Sequence, residues 1–288
     1  MPSRRRTTPL RTPFLVMGLA LIGLAVTPSL AAAGEPEKPT SAAAAREASG
    51  TSRSPGYDIS YPQCGGPFPT SAGFSIVGVN GGLVYKPNPC LAEGDGPSQL
   101  AWAGPHVQLY ANTGNPGPEL SDYWPHGQTE PRECDTPENP GADTAACAYD
   151  YGWNAAADSY RTAVQAFISL GVTEEDATRT PKPIFWWLDV ETGNSWRSEP
   201  ELNVAVLQGA VDYLESVDVA GVGFYSTQRQ WNAITGGTLA FAEYPAWHAG
   251  AVTRREAQRN CGDAAFTGGE LVLTQYFDRG FDANYRCT

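Results

Sequence analysis

Histidine and positive charge are scarce in this 288-residue chain. Its three histidines, His106, His126 and His248, lie far apart in sequence and leave little material for a zinc site. Nineteen Lys and Arg stand against 31 Asp and Glu, a formal charge of −12, so the basic footprint that nucleic-acid phosphates require is missing. None of the six cysteines sits in a Cys-x-x-Cys pair, which weakens metal and redox readings. There is no Gly-x-Ser-x-Gly elbow, no His-Glu-x-x-His and no phosphate loop. Nothing in this inventory calls for a metal or a cofactor. Charged residues make up 17% of the chain, and 8 Trp, 13 Tyr and 10 Phe accompany them, which excludes a disordered polyelectrolyte and a coiled coil.

Glycine and proline, by contrast, are abundant at 31 and 24 residues, so loops are long or numerous. The first 33 residues read as an export signal, with Arg4, Arg5, Arg6 and Arg11, an apolar stretch from Phe14 to Val26, and Ala31-Ala32-Ala33 for cleavage. The apolar stretch is about 13 residues, short of the roughly 20 that span a bilayer, so no stable membrane insertion is expected after cleavage. The arginines leave the general and twin-arginine routes both open. Without this leader the chain keeps 15 basic and 31 acidic residues, a charge of −16. Gly34 to Pro55 is rich in Ala, Ser, Thr, Pro and Glu and reads as a flexible linker, with Ala42 to Ala45 as its most helix-prone part. All six cysteines, Cys64, Cys90, Cys134, Cys147, Cys261 and Cys287, lie beyond it, an even count that reads as three disulfides in an exported domain. Six cysteines allow 15 connectivities; pairing of sequence neighbours would join Cys64 to Cys90, Cys134 to Cys147 and Cys261 to Cys287.

From Gly56 onward, 233 residues remain, close to the roughly 250 of one α/β barrel. Eight short apolar runs predict strands of a sheet covered on both faces: Tyr57 to Tyr61, Phe74 to Asn80, Val107 to Asn112, Ile184 to Glu191, Val222 to Ser226, Ala246 to Ala249, Leu271 to Phe277 and Phe281 to Tyr285. Helices are expected over Asn154 to Leu170, stopped by Gly171, and over Ser198 to Ser216, with Ser198 as N-cap and Pro200 in the first turn. Gly94 to Tyr151 and Thr253 to Gly269 read as ordered loops clipped by disulfides. The expected fold is a barrel whose second half lacks its helices.

The chemistry concentrates in Phe185-Trp186-Trp187-Leu188-Asp189-Val190-Glu191. Strand alternation puts Phe185, Trp187, Asp189 and Glu191 on one face and the remaining apolar residues on the other. Two acids at i and i+2, at the C-terminal end of a barrel strand, stand where active sites are built. Like charge and desolvation raise the proton affinity of at least one of them, which is what a glycosidase needs in order to protonate a leaving oxygen. Asp58 in the first strand and Asp282 in the last would join them, because first and last strands are neighbours in a closed barrel. Trp187, Trp196, Tyr225, Trp247 and Tyr276 lie near strand ends, where flat faces could meet sugar rings, although core filling is the commoner role of such aromatics. Asn80, Asn112 and Gln275 are candidate hydrogen-bonding groups there.

On these residues the chain resembles the family-25 glycoside hydrolases, lysozyme-like muramidases. The matching pieces are Asp58-Ile59-Ser60-Tyr61-Pro62-Gln63, Leu188-Asp189-Val190-Glu191, Gly223-Phe224-Tyr225-Ser226, Trp247-His248-Ala249, and Gln275-Tyr276 followed by Phe281-Asp282-Ala283-Asn284. The resemblance implies an α/β, TIM-like (β/α)5(β)3 barrel. It implies Glu191 as general acid, Asp189 as the group that orients the substrate's 2-acetamido group, and Asp58 and Asp282 as supporting acids. The implied reaction is hydrolysis of the β-1,4 bond between N-acetylmuramic acid and N-acetylglucosamine in peptidoglycan. The chain departs from the family's third-strand pattern at Leu109-Tyr110-Ala111-Asn112 and in the long Gly94 to Tyr151 insertion.

The expectation is therefore a secreted, monomeric glycosidase acting on peptidoglycan or a related glycan, extracellular or wall-associated. The alternatives are a catalytically silent glycan-binding or cell-wall-binding barrel and a structural envelope protein with no sugar site. At −16 the chain is repelled by anionic wall polymers, so recognition would rest on stacking and hydrogen bonds.

Overall fold

The eight apolar runs form eight strands in a computed structural model that describes residues 39–52, 54–92, 96–134 and 140–287. The strands are β1 (Gly56–Ile59), β2 (Ser75–Gly78), β3 (Val107–Asn112), β4 (Phe185–Asp189), β5 (Gly221–Ser226), β6 (Ala246–Ala251), β7 (Leu271–Asp278) and β8 (Phe281–Arg286). They close into a barrel in chain order. Strands β1 to β7 pair in parallel, whereas β8 runs antiparallel to both β7 and β1. The reversal comes from the turn at Arg279 and Gly280, both at positive φ (52° and 93°), as a two-residue primed hairpin requires. The leader at 1–33 and the first residues of the linker, 34–38, lie outside the described residues.

The alternation expected in β4 is present. Trp186 and Leu188 face outward into the layer that contains Tyr160, Leu207 and Leu214, and the rings of Trp186 and Tyr160 stack at 6.2 Å. Phe185 and Trp187 face inward and pack with Ile76, Trp247 and Leu273. The barrel interior is thus a packed aromatic core.

Helices α1 (Ser41–Ser49), α2 (Gln99–Ala103), α3 (Ala145–Ser169), α4 (Glu174–Ala177), α5 (Pro200–Ser216), α6 (Gln228–Thr235) and α7 (Arg254–Asn260) surround or cap the sheet. Helix α3 begins nine residues before its expected start. Its Gly152 is a packing notch: a Cβ there would lie 1.9 Å from the Val206 carbonyl oxygen, and one on Gly209 would lie 2.0 Å from that of Tyr149. The two glycines let the α3 and α5 backbones touch, and that contact outweighs the intrinsic cost of roughly 1 kcal/mol for glycine in a helix.

Helix α5 starts at Pro200 without a side-chain cap, and the Ser198 hydroxyl donates to Glu199 Oε1 instead (2.8 Å). The second half of the barrel is thinly helical rather than bare. α6 is capped by Thr227, which accepts from the Gln230 amide, and α7 by Thr253, which accepts from the Glu256 amide. Thr253-Arg254-Arg255-Glu256 is a capping-box pattern within the stretch expected to be a loop. The disulfides are Cys64–Cys90, Cys134–Cys147 and Cys261–Cys287.

The stretch expected to be a linker contains α1, which is docked. Ala44 and Ala45 are buried against Phe74, Ile76, Phe185 and Val272 at the N-terminal end of the barrel. Ser49, with no exposed surface, accepts from Gln108 Nε2 (3.1 Å), and Gln108 Oε1 accepts from the Trp187 indole (2.7 Å). Arg286 donates to the carbonyls of Ser49 and Gly50. The composition that suggested a linker is what such a plug uses: small alanines that fit where the core narrows.

Deleting residues 39–50 should therefore lower Tm by more than about 5 °C in a thermal melt, since each kcal/mol is worth roughly 2–4 °C in a domain of this size. An unchanged Tm would show that the stretch is a linker after all.

Candidate active site

The acids at the end of β4 keep strand alternation because the ladder continues past Asp189. The Val190 amide donates to the Tyr225 carbonyl (2.9 Å), and the Ser226 hydroxyl donates to the Val190 carbonyl (2.7 Å). Asp189 is buried, and its Oδ2 accepts from Asn112 Nδ2 at 2.6 Å. Its Oδ1 is buried with no hydrogen-bond partner. Glu191 is half-buried, and its Oε1 accepts from Gln230 Nε2 (3.3 Å). Its carbonyl accepts from the Trp196 indole (2.8 Å) and the Asn194 amide (3.2 Å), which fixes the turn after it.

Asp58 enters the same end of the barrel from β1. Gln275 Nε2 donates to both of its oxygens (3.2 and 3.1 Å), and Asn284 Nδ2 donates to Oδ1 (2.6 Å). Asn284 in turn accepts from the Trp247 indole (2.7 Å), and Gln275 accepts from the Tyr225 hydroxyl (2.8 Å). Asp282 is exposed and is the register partner of Asp58 across the β1–β8 pair.

Burial governs the protonation of these groups, with like charge second. Burial, then the charge of Asp282, push Asp58 up to about 8 against the opposing Asn284 and Gln275 hydrogen bonds. Burial, then Glu191, raise Asp189 well above the ordinary carboxyl range, and the Asn112 bond offsets only part of this. Burial raises the Tyr225 phenol well above its usual value, and the charges of Glu191, Asp189, Asp58 and Asp282 all add to the shift. All four acids lie near enough for their charges to act on this one phenol. Asp58, pushed up to about 8, is built to hold a proton near neutral pH, and burial also raises Asp189 and Asp282 above the ordinary carboxyl range.

Of the residues expected to touch a sugar, Asn112, Tyr225 and Gln275 belong to this constellation. Trp187 and Trp247 do not present open faces: they are 0% and 2% exposed and form the floor beneath the acids. Their indole N–H groups are spent on Gln108 and Asn284, because a buried donor cannot be left without a partner. Tyr276 lies on the outer face of β7, packed with Tyr57, Ala251 and Ala257, since it alternates with the inward Gln275. Asn80 is buried between β3 and α3, where its Oδ1 accepts from the Asn112 amide and its Nδ2 donates to Ser159.

Three contributors were not read from the sequence. Gln230 sits in the first turn of α6, and the Thr227-x-x-Gln230 cap immediately after β5 was the available signal. Tyr110, half-buried and within reach of the charges of Asp189 and Asp58, stands at the departure in the third strand. Asn284 was legible only as part of the last-strand motif. Among the described residues, no group of three or more His, Cys, Asp or Glu is arranged to hold a metal ion, and no helix is long and apolar enough to cross a membrane.

Residues 177–265 match the family model described as Lysozyme-like protein 1. Asp189, Glu191, Tyr225, Gln230 and Trp247 fall inside the match; Asp58 and Asp282 fall outside it. The chain is 38% identical over 63 residues to "Probable GH family 25 lysozyme 4" and, to the same degree, to "Probable GH family 25 lysozyme 2", both of Dictyostelium discoideum. These alignments cover 22% of this chain and 29% of each relative, so the chain matches under a third of their length. Among solved structures, the muramidase from Acremonium alcalophilum aligns with TM-score 0.45 and 17% identity over 81% of this chain and 93% of its own. The bacterial lysozyme from Streptomyces coelicolor aligns with TM-score 0.44 and 16% identity over 83% and 94%.

The raised proton affinity of Asp58 has a signed effect on stability. Between its unfolded value near 4 and its folded value of about 8, the folded state binds more protons, so this group's contribution is full below pH 4 and is lost as pH rises through 8. Thermal melts should show a smaller fall in Tm from pH 5 to pH 8 in Asp58→Asn than in the parent. Equal falls would mean that Asp58 is ionised throughout.

Proposed function

We propose that this chain, a divergent relative of the family-25 glycoside hydrolases, is an exported glycosidase that hydrolyses β-1,4 bonds of peptidoglycan, with Glu191 as general acid. The observation that carries the reading is the Asp189–Glu191 pair at the barrel rim, with Asp189 Oδ2 held by Asn112 and its Oδ1 buried and unpartnered. An unpaired buried carboxyl oxygen is costly unless something arrives to use it, and the N–H of a 2-acetamido group is the right donor.

In the proposed reaction the acetamido oxygen attacks the anomeric carbon. The glycosidic bond breaks, and its electron pair stays on the leaving oxygen, which takes the proton of the Glu191 carboxyl. Asp189, accepting the acetamido N–H, stabilises the positive charge of the cyclic intermediate. Water then adds to the anomeric carbon, the acetamido group is released, and the Glu191 carboxylate takes the water's proton. Asp58 and Asp282 stand beside the Asp189–Glu191 pair at the rim, Asp58 held by Gln275 and Asn284. Gln230 and the Trp196 indole hold Glu191, through its side chain and its carbonyl respectively.

The leader-like first 33 residues and the three disulfides support action outside the cell. A catalytically silent wall-binding barrel differs from this reading in a single observable, bond cleavage. Glu191→Gln should reduce the release of reducing ends from purified peptidoglycan by about 10²–10⁴-fold, the usual worth of a positioned acid, while Tm stays near that of the parent. Equal rates in parent and variant would remove Glu191 from the mechanism, and no release by either would favour the silent binder.

A further inference from the structure

Next to the acids lies a second concavity that the proposed reaction does not use. It has a volume of about 300 Å³, at the lower end of small-ligand sites, and is lined by Tyr85, Ser121, Asp122, Tyr123, Asn194 and Ser195 among others. The loops that form it are fastened to the catalytic candidates. Thr113 donates to the Asp189 carbonyl from its amide (3.1 Å) and its hydroxyl (2.5 Å), Asn194 donates to the Glu191 carbonyl, and the Asn115 amide donates to the Ser195 carbonyl (2.7 Å). Gly114 lets them converge, for a Cβ there would already lie 3.2 Å from the Ser195 oxygen and 3.6 Å from Val84.

Its wall is an aromatic platform built at a cost. Tyr85 and Tyr123 stack with ring centres 4.1 Å apart and planes within 5° of parallel. Tyr123 is 58% exposed, so its outer face is open. Tyr85 has φ of 61°, a left-handed conformation that is a genuine outlier for a bulky residue and costs on the order of 1–3 kcal/mol. Such conformations persist where surrounding structure enforces them, often at ligand clamps. The enforcement here is visible: the Tyr85 ring packs on Tyr151, and Trp124, buried directly after Tyr123, packs with Tyr151 and the Cys134–Cys147 disulfide.

We infer that this concavity is a subsite for a further sugar unit of the glycan chain, with the outer face of Tyr123 as stacking platform and Asn194 and Ser195 as hydrogen-bonding groups. It rests on the glycosidase reading above, which supplies the occupant. An aromatic face suits the C–H surface of a sugar ring. Among the described lining residues Asp122 is charged and none is Lys or Arg, so the unit held here is recognised by its ring face and neutral groups and not through a carboxylate, as N-acetylglucosamine would be. Tyr123, the open half of the platform, lies in the stretch between β3 and α3, and Tyr85, in the loop between β2 and α2, backs it.

The test compares Tyr123→Ala and Tyr123→Trp with the parent on glycan oligomers of alternating N-acetylglucosamine and N-acetylmuramic acid, four and eight units long, freed of peptide. The ratio of kcat/KM on the octamer to that on the tetramer should fall about tenfold in Tyr123→Ala, through KM, and return in Tyr123→Trp, as expected for one lost stacking contact. Octamer affinity of the Glu191→Gln protein, measured by calorimetry, should weaken by a similar factor when Tyr123→Ala is added. If the parent cleaves and neither ratio nor affinity changes, the subsite is refuted and the glycosidase reading stands. If the parent cleaves nothing but octamer binding still weakens with Tyr123→Ala, the glycosidase reading fails and the subsite stands.

Discussion

The barrel is closed by the backbone pairing of β1 with β8, and one buried side chain ties that seam to the interior. Asn284, with no exposed surface, donates to Asp58 on β1 and accepts from the Trp247 indole on β6, so its amide joins the first, sixth and last strands in one layer. Take that amide away and a buried carboxyl loses its shortest donor while a buried indole loses its acceptor, each at a cost of about 1–3 kcal/mol. The antiparallel course of β8 makes this possible. It brings the start of the last strand, and Asp282 with it, to the end of the barrel where β1 and β4 finish.

Everything at the rim follows from what lies under it. Phe185, Trp187 and Trp247 fill the interior so that little water reaches the underside of the acids, and charge becomes expensive there. Amide side chains offset part of that cost: Gln275 and Asn284 at Asp58, Asn112 at Asp189. The balance leaves Asp58, Asp189 and Asp282 with raised proton affinity and one Asp189 oxygen without a partner. A dry, preorganised arrangement of this kind is where electrostatic stabilisation of a developing charge is worth most.

Periodicity was enough to reveal the strands, because a strand buried on both faces reads as a short apolar run and these runs have few competitors. The i, i+2 spacing of Asp189 and Glu191 survived into the structure because the hydrogen-bonded ladder extends past Asp189 to Val190. What stayed hidden depends on contacts distant in sequence. The notch at Gly152 is invisible until Val206 is known to press against it. Ala42 to Ala45 reads as a linker until the narrow end of the barrel is seen to need small side chains. Trp187 and Trp247 sit at strand ends like sugar platforms, yet they lie one layer too deep, and only the register between strands reveals depth. Gln230 reaches Glu191 from α6, 39 residues on, so its cap was legible while the contact was not.

The central claim is that Asp189 and Glu191 drive an attack by the substrate's own acetamido group, which places two successive inversions at one carbon. The most direct measurement is proton NMR of the anomeric centre during the first minutes of digestion of purified peptidoglycan glycan, before mutarotation. Release of the β anomer first is the predicted result. Release of the α anomer first would show direct attack by water and contradict the assignment of Asp189.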